Sequence, residues 1–174
     1  MENEKILKRH EDRKDLAGEH AFGDVGQIIF LIIFLAVWIA DSFFVKYSTQ
    51  FSAYASLYIR IPLTIVILII AGYLAKQGLT AVFAEVREKP IVIRSGVFSV
   101  VRHPIYLGAI LFYLSLIVAY FSLIAALIWV IIILFYVYLC KYEEKLLIQK
   151  YGRDYETYKS ETPMLLPGIR RGNK

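Results

Sequence analysis

Residues 25–45 are apolar at nearly every position, and Asp41, near the far end, is the one charged residue among them. Residues 57–75 repeat the pattern, with Arg60 near the start and Pro62 early in the run, where a helix tolerates proline. A crossing helix needs about 20 mostly apolar residues to span a hydrocarbon core about 30 Å thick, so both runs predict membrane-spanning helices. A polar stretch, residues 76–103, comes next. Residues 105–140 then run for 36 positions without a charged side chain. As one helix that run would measure about 54 Å, too long for a single crossing. It predicts two helices joined by a tight turn at residues 120–122. The expected fold is an all-α integral membrane protein with about four transmembrane helices.

Composition supports this. Of 174 residues, 58% are apolar and only 20% charged, against roughly half and a quarter in soluble domains. One domain fits the length, and a large soluble enzyme with a separate cofactor domain does not. The single cysteine, Cys140, rules out an internal disulfide and any cysteine-clustered metal site, and no metal is expected. Residues 1–24 carry five basic and seven acidic residues and no apolar core, so they read as a solvated, partly helical head and not as a cleavable signal. His10 and His20 in that head read as surface histidines.

Charge orients the spans. Five Lys/Arg lie in the head, five in residues 76–103 and eight from Lys141 onward, whereas the opposite side holds Lys46 and Arg60. The positive-inside rule places both termini and the central loop in the cytoplasm, and four spans put both termini on one side, so count and charge agree. Asp41 and Arg60 would both lie near the outer interface, where they could pair or snorkel. Matching Gly/Pro-interrupted spans, the mark of an inverted-repeat transporter, are missing from the sequence.

Two blocks carry candidate chemistry. Gly96 offers a turn, and Arg102 and His103 precede Pro104, which suits the first turn of the third span. That helix start, with unpaired N–H groups and two donors, favours an anion. Gly108, one turn later, permits close approach of a ligand or helix. The same residues also suit interfacial anchoring, with Arg102 snorkelling and Tyr106 in the aromatic belt. After the second apolar hairpin, Tyr142, Leu146, Leu147 and Tyr151 recur at helical spacing before a stop at Gly152. The fourth span thus runs into a cytoplasmic amphipathic helix, with Glu143 and Glu144 just beyond the membrane. Asp154, Tyr155 and Tyr158 predict another short helix, ended by Pro163 and Pro167.

Arg102-His103-Pro104-Ile105-Tyr106-Leu107-Gly108, the hairpin, Glu143-Glu144, Leu146-Leu147, Tyr151-Gly152, Tyr155, Tyr158 and a late proline together resemble the isoprenylcysteine carboxyl methyltransferase family, in the wider group that includes the phospholipid methyltransferases. The likeness covers roughly residues 70–167. With the apolar runs and the charged head it gives three expected regions: a polar cytoplasmic head (1–24), a first transmembrane hairpin (25–75) and a methyltransferase core (76–174). It also implies S-adenosyl-L-methionine as cofactor, bound without a Gly-rich nucleotide loop at the cytoplasmic end of the last two spans. By the match, Ile91, Val92 and Ile93 would flank the cofactor through backbone groups. Phe98 stands where the family often has tyrosine. His103, Pro104, Ile105 and Tyr106 would line the site, and Glu143 would face the cofactor's amino-acid end. A carboxylate suits its ammonium, and the donors Arg102 and His103 suit its carboxylate. Arg102 and Glu144 are the expected catalytic residues.

The resemblance also implies a lipid-like methyl acceptor among the membrane lipids, and not nucleic acid. Methyl transfer is an in-line displacement that gains most from positioning. A carboxylate acceptor, as in isoprenylcysteine, needs only orientation. An amine acceptor, as in an aminophospholipid, must lose a proton, and Glu144, Tyr136 or Tyr138 could assist. Leu139 stands where isoprenylcysteine enzymes commonly carry an arginine for the substrate carboxylate, with Lys141 the nearest cation. Pro90 replaces a common histidine. O-methylation leads on resemblance and N-methylation is the close rival. A noncatalytic scaffold or small transporter is the reading from another class, and a sterol-reductase-like activity is more distant.

Overall fold

The computed structural model describes residues 23–50, 55–83 and 91–168. His10, His20, Pro90 and nearly all of the polar head lie outside the described residues. Five α-helices account for most of the rest, with no strand among the described residues. They are α1 (Gly23–Ile39), α2 (Leu57–Phe83), α3 (Pro104–Tyr120), α4 (Leu123–Tyr151) and α5 (Arg153–Glu161). A wider π-helical turn, Ala40–Val45, extends α1, and a short 3-10 turn, Gly96–Ser99, precedes α3.

Three segments are long and apolar enough to cross a membrane: Gly23–Val45, α2 and α4. The fourth apolar helix, α3, has 17 residues, about 25 Å, at the lower end of the crossing range. The long charge-free run does break where expected. Phe121 adopts a left-handed backbone (φ 49°), and Ser122 caps α4 by accepting from the Ala125 N–H at 3.2 Å. Pro104 opens α3 as the first helical residue. The polar stretch after Ala75 does not begin as a loop: α2 continues to Phe83, because Lys76 and Gln77 are good helix formers and Gly78 is buried against Ile105 and Pro104. Pro62, the sixth residue from the start at Leu57, sits inside α2 just beyond its first turn.

The helices alternate in direction, so each end of the bundle gathers contacts from several of them. α2 lies along α3, and α1 and α3 both pack on α4. The α2–α3 crossing is close because small residues face it. A Cβ on Gly108 would lie 2.8 Å from the Ala71 carbonyl oxygen and 3.2 Å from the Ala75 nitrogen. Such crossings replace hydrophobic driving force with close backbone packing. Of the two ligands that Gly108 could admit, helix or small molecule, it admits the helix. Phe34, Tyr113, Ile132 and Leu139 fill the core between α1, α3 and α4. Ile28, Ile32, Ile69 and Leu134 point outward, as lipid-facing side chains do.

At one end, Asp41 and Arg60 do not pair with each other. Asp41 is buried and accepts from the Ser48 N–H at 3.0 Å, from the Ser48 hydroxyl, and from the Ser122 hydroxyl at 2.6 Å. Ser48 in turn accepts from the Ile124 N–H at 3.1 Å. Arg60 donates to the Ala119 carbonyl at 2.8 Å and lies 5.8 Å from the Phe121 ring centroid. Both ionic residues thus fasten the α3–α4 turn, because its backbone and hydroxyls lie nearer to each than the opposite charge does.

If the α2–α3 crossing is set by Gly108, Gly108→Val overpacks it, at a cost of about 1–3 kcal/mol, an apparent Tm drop on the order of 2–12 °C in detergent. Gly72→Val is the control, since a Cβ at Gly72 meets nothing within 4 Å. Equal melting of the two variants would contradict the packing described.

Candidate active site

The opposite end of the bundle holds the charged cluster. α4 carries Glu143 and Glu144 on its last turns, about 100° apart around the helix, so they face different neighbours. Glu144 is almost fully buried, with 2% of its side chain exposed. Its Oε1 accepts from Arg102 Nε at 2.8 Å and Nη2 at 2.7 Å, and its Oε2 lies 3.0 Å from Lys159 Nζ. His103 Nε2 lies 3.4 Å from the same Oε1. Both oxygens of Glu144 are thus engaged by cations and neither is left to solvent.

Arg102 does more than pair. Its Nη1 donates to the Lys159 carbonyl at 2.8 Å and to the Thr162 carbonyl, which closes the C-terminal end of α5 with a cation. Its own N–H donates to the Pro163 carbonyl at 2.9 Å, and the His103 N–H donates to the Met164 carbonyl at 3.2 Å. The chain reaches this position because Gly152 (φ 55°) ends α4, its N–H bonding back to Ile148 at 2.7 Å, so that α5 folds back. Tyr158 fastens α5 to the 3-10 turn by donating to the Phe98 carbonyl at 2.6 Å, and burial pushes its hydroxyl up to about 12. Arg94 pairs with Asp154 and lies against the Tyr158 ring.

Glu143 faces α3. It accepts from the Tyr106 hydroxyl and lies 3.5 Å from His103 Nδ1, and 23% of its side chain stays exposed. His103, buried just ahead of α3, thus bridges the two glutamates. Burial opposes its charged form, but Cys140, Glu143 and Glu144 outweigh that, and its pKa is held well above the ordinary histidine value. The His103 and Tyr106 rings stack, 2° from parallel with centroids 5.8 Å apart, and Tyr106 meets Tyr136 at 5.1 Å. Pro104 is buried, and Ile105 packs against Gly78 of α2.

The structure thus gathers Arg102, His103, Pro104, Tyr106, Glu143 and Glu144 at one place. Phe98 stands beside α5 through its carbonyl. Ile91, Val92 and Ile93 form the extended segment leading into the 3-10 turn, Ile91 exposed and the other two half-buried. Leu139 is buried at 1% exposure, and Lys141 is exposed. Lys159, Pro163 and Met164 complete the cluster without having been expected. The signal for Lys159 was its place beside Tyr155 and Tyr158 on one short helix; backbone acceptors such as Pro163 leave no mark in a sequence.

A family model described as phospholipid methyltransferase matches residues 55–154, more than half of the chain. No curated protein and no solved structure matches it.

Removing one partner of a buried, hydrogen-bonded pair strands the other charge. Glu144→Gln leaves Arg102 and Lys159 short of their anion, at a cost of about 3 kcal/mol, an apparent Tm loss on the order of 6–12 °C. Lys145→Gln, on the exposed face of the same turn, leaves Tm in place. A Glu144→Gln protein melting with wild type would show that the clamp carries no stability.

Proposed function

Because the chain belongs to the phospholipid methyltransferase family, we propose that it is an integral membrane enzyme that uses S-adenosyl-L-methionine to methylate a lipid-like acceptor where His103, Tyr106 and Glu143 meet. The observation that carries this reading is a carboxylate left partly open, Glu143, beside a stacked His–Tyr pair, inside the residues the family model matches. When bound, the cofactor supplies an electrophilic methyl group on a sulfonium sulfur.

The residues present suit that cofactor. Glu143 offers charge-assisted acceptance to its ammonium. The Tyr106 face suits a neighbouring cation. Ile91, Val92 and Ile93 offer an apolar edge and backbone groups. Arg102 and Glu144 enter as positioning residues: the guanidinium is engaged by Glu144 and two carbonyls, and holding His103 against both glutamates is what that engagement achieves. A site whose side chains are already held in place suits a displacement that depends on alignment more than on acid–base help. A lipid acceptor would keep its tail in the bilayer and bring its head to this end.

Head-group chemistry divides the reading in two. O-methylation of an isoprenylcysteine-like carboxylate rests on the Arg-His-Pro and Glu-Glu blocks. N-methylation of an aminolipid is favoured by Leu139, buried where a carboxylate-holding cation would otherwise stand. An ionised carboxylate brought there without a partner is costly.

The cofactor reading predicts that detergent-solubilised protein binds labelled S-adenosylmethionine and that Glu143→Gln weakens binding by about 10- to 150-fold, the worth of a charge-assisted bond. Unchanged affinity removes Glu143 from the site, and no binding by wild type favours the scaffold reading instead.

The same proposal includes four spans, with both termini and the site cytoplasmic, a reading supported by the Lys/Arg asymmetry of the sequence. Tyr47→Cys and Ser160→Cys introduce exposed thiols at the two ends, while Cys140 is fully buried and silent. An impermeant maleimide on intact cells should label the first variant and reach the second only after permeabilisation. Labelling of both from the same side contradicts this topology.

A further inference from the structure

One face of α4 stays exposed along its length. Leu127, Val130, Ile131 and Leu134 recur on it at helical spacing. At about 100° per residue, Tyr138, Lys141, Tyr142 and Lys145 continue the same stripe, and all four are exposed. The stripe thus passes from aliphatic to aromatic and basic side chains along one line.

That order matches the depth of a bilayer. Lys141 stands 18 positions beyond Leu123, where α4 starts, which is about 27 Å along the helix axis. A hydrocarbon core is about 30 Å thick, so the two lysines stand where acyl chains give way to phosphates. Tyrosine suits that boundary because its ring is apolar and its hydroxyl polar. A lysine there rests its stem on the acyl region and lifts its ammonium to head-group level.

Neither ammonium is used within the described protein. The neighbouring carboxylates turn elsewhere: Glu144 is engaged by Arg102, His103 and Lys159, and Glu143 by Tyr106 and His103. No carboxylate pairs with Lys141 or Lys145 among the described residues. Lys141 also lies nearly opposite Leu139 around the helix, so it faces away from the candidate active site. Four residues apart on one face, Lys141 and Lys145 are neighbours, with Cβ atoms roughly 6 Å apart, and together offer two charges to one phosphodiester.

We propose that Tyr138, Lys141, Tyr142 and Lys145 bind the head group of an anionic phospholipid, outside the active site, and that this lipid seats the end of α4 that carries both glutamates. A phospholipid matches both halves of the stripe at once, its acyl chains along residues 127–134 and its phosphate at the lysines. An acidic protein matches only the basic half. The lipid is a bound neighbour and not the methyl acceptor, so the proposal does not rest on the methyltransferase reading.

The test is native mass spectrometry of the full chain in detergent, titrated with dioleoyl phosphatidylglycerol or with neutral monogalactosyl dioleoylglycerol. Neither head group bears an amine or a carboxylate, so neither stands in for the acceptor. Each lysine at a lipid surface adds about 5-fold in affinity for an anionic lipid. Wild type should therefore bind the first phosphatidylglycerol at least about 10-fold more tightly than the galactolipid. Lys141→Gln combined with Lys145→Gln should cut that preference to about 2-fold or less, with Tm and S-adenosylmethionine affinity unchanged. Lys46→Gln, an exposed lysine at the other end of the bundle, should leave the preference intact. Equal affinity for the two lipids, binding of neither, or a preference that survives the double variant overturns the inference. So does a wild-type dimer that the double variant dissociates, which would give the stripe to a second copy of the chain.

Discussion

The buried carboxylate of Glu144 is the constraint on which the active end depends. An ion at 2% exposure is tolerated only with partners in place, and here three cationic side chains from two segments supply them. Arg102 and His103 are consecutive residues just ahead of α3, and Lys159 comes from α5, while Glu144 itself sits on α4. Satisfying one charge therefore fixes the relative positions of three pieces of chain. Arg102 extends the constraint by holding the last carbonyls of α5, and the backbone of residues 102–103 then pairs with residues 163–164.

Adjacent glutamates on one helix can divide their work because successive residues turn about 100°. Glu144 turns inward and holds the scaffold. Glu143 turns toward Tyr106 and His103 and keeps part of its surface open. A carboxylate already saturated with cations would offer little to a ligand, and an open one without support would not stay in register. His103, sharing a proton donor with each, couples the two.

Much of this was legible because bilayer physics constrains sequence strongly. The apolar runs, the break at residues 120–122, the start at Pro104 and the stop at Gly152 all follow from length, helix termini and turn chemistry. Two kinds of feature were not legible. The extension of α2 past Ala75 depends on propensity in a polar stretch, which an apolar-run criterion reads as loop. Most partners of Asp41, Arg60 and Glu144 depend on tertiary contact between distant residues, as far as 81 positions from Asp41 to Ser122, which no local pattern encodes. Opposite charges invited pairing of Asp41 with Arg60, but hydroxyls and carbonyls of the α3–α4 turn were closer.

The central claim is that the cofactor binds at the end of the bundle built around the two glutamates. Hydrogen–deuterium exchange with and without S-adenosylmethionine tests it most directly, since it reports location without assuming any residue's role. The account predicts slowed exchange in residues 91–106 and in the turn of α4 that carries Glu143, with the Asp41–Ser122 end unchanged. Protection confined to the Asp41 end, or none at either end under saturating cofactor, would contradict it.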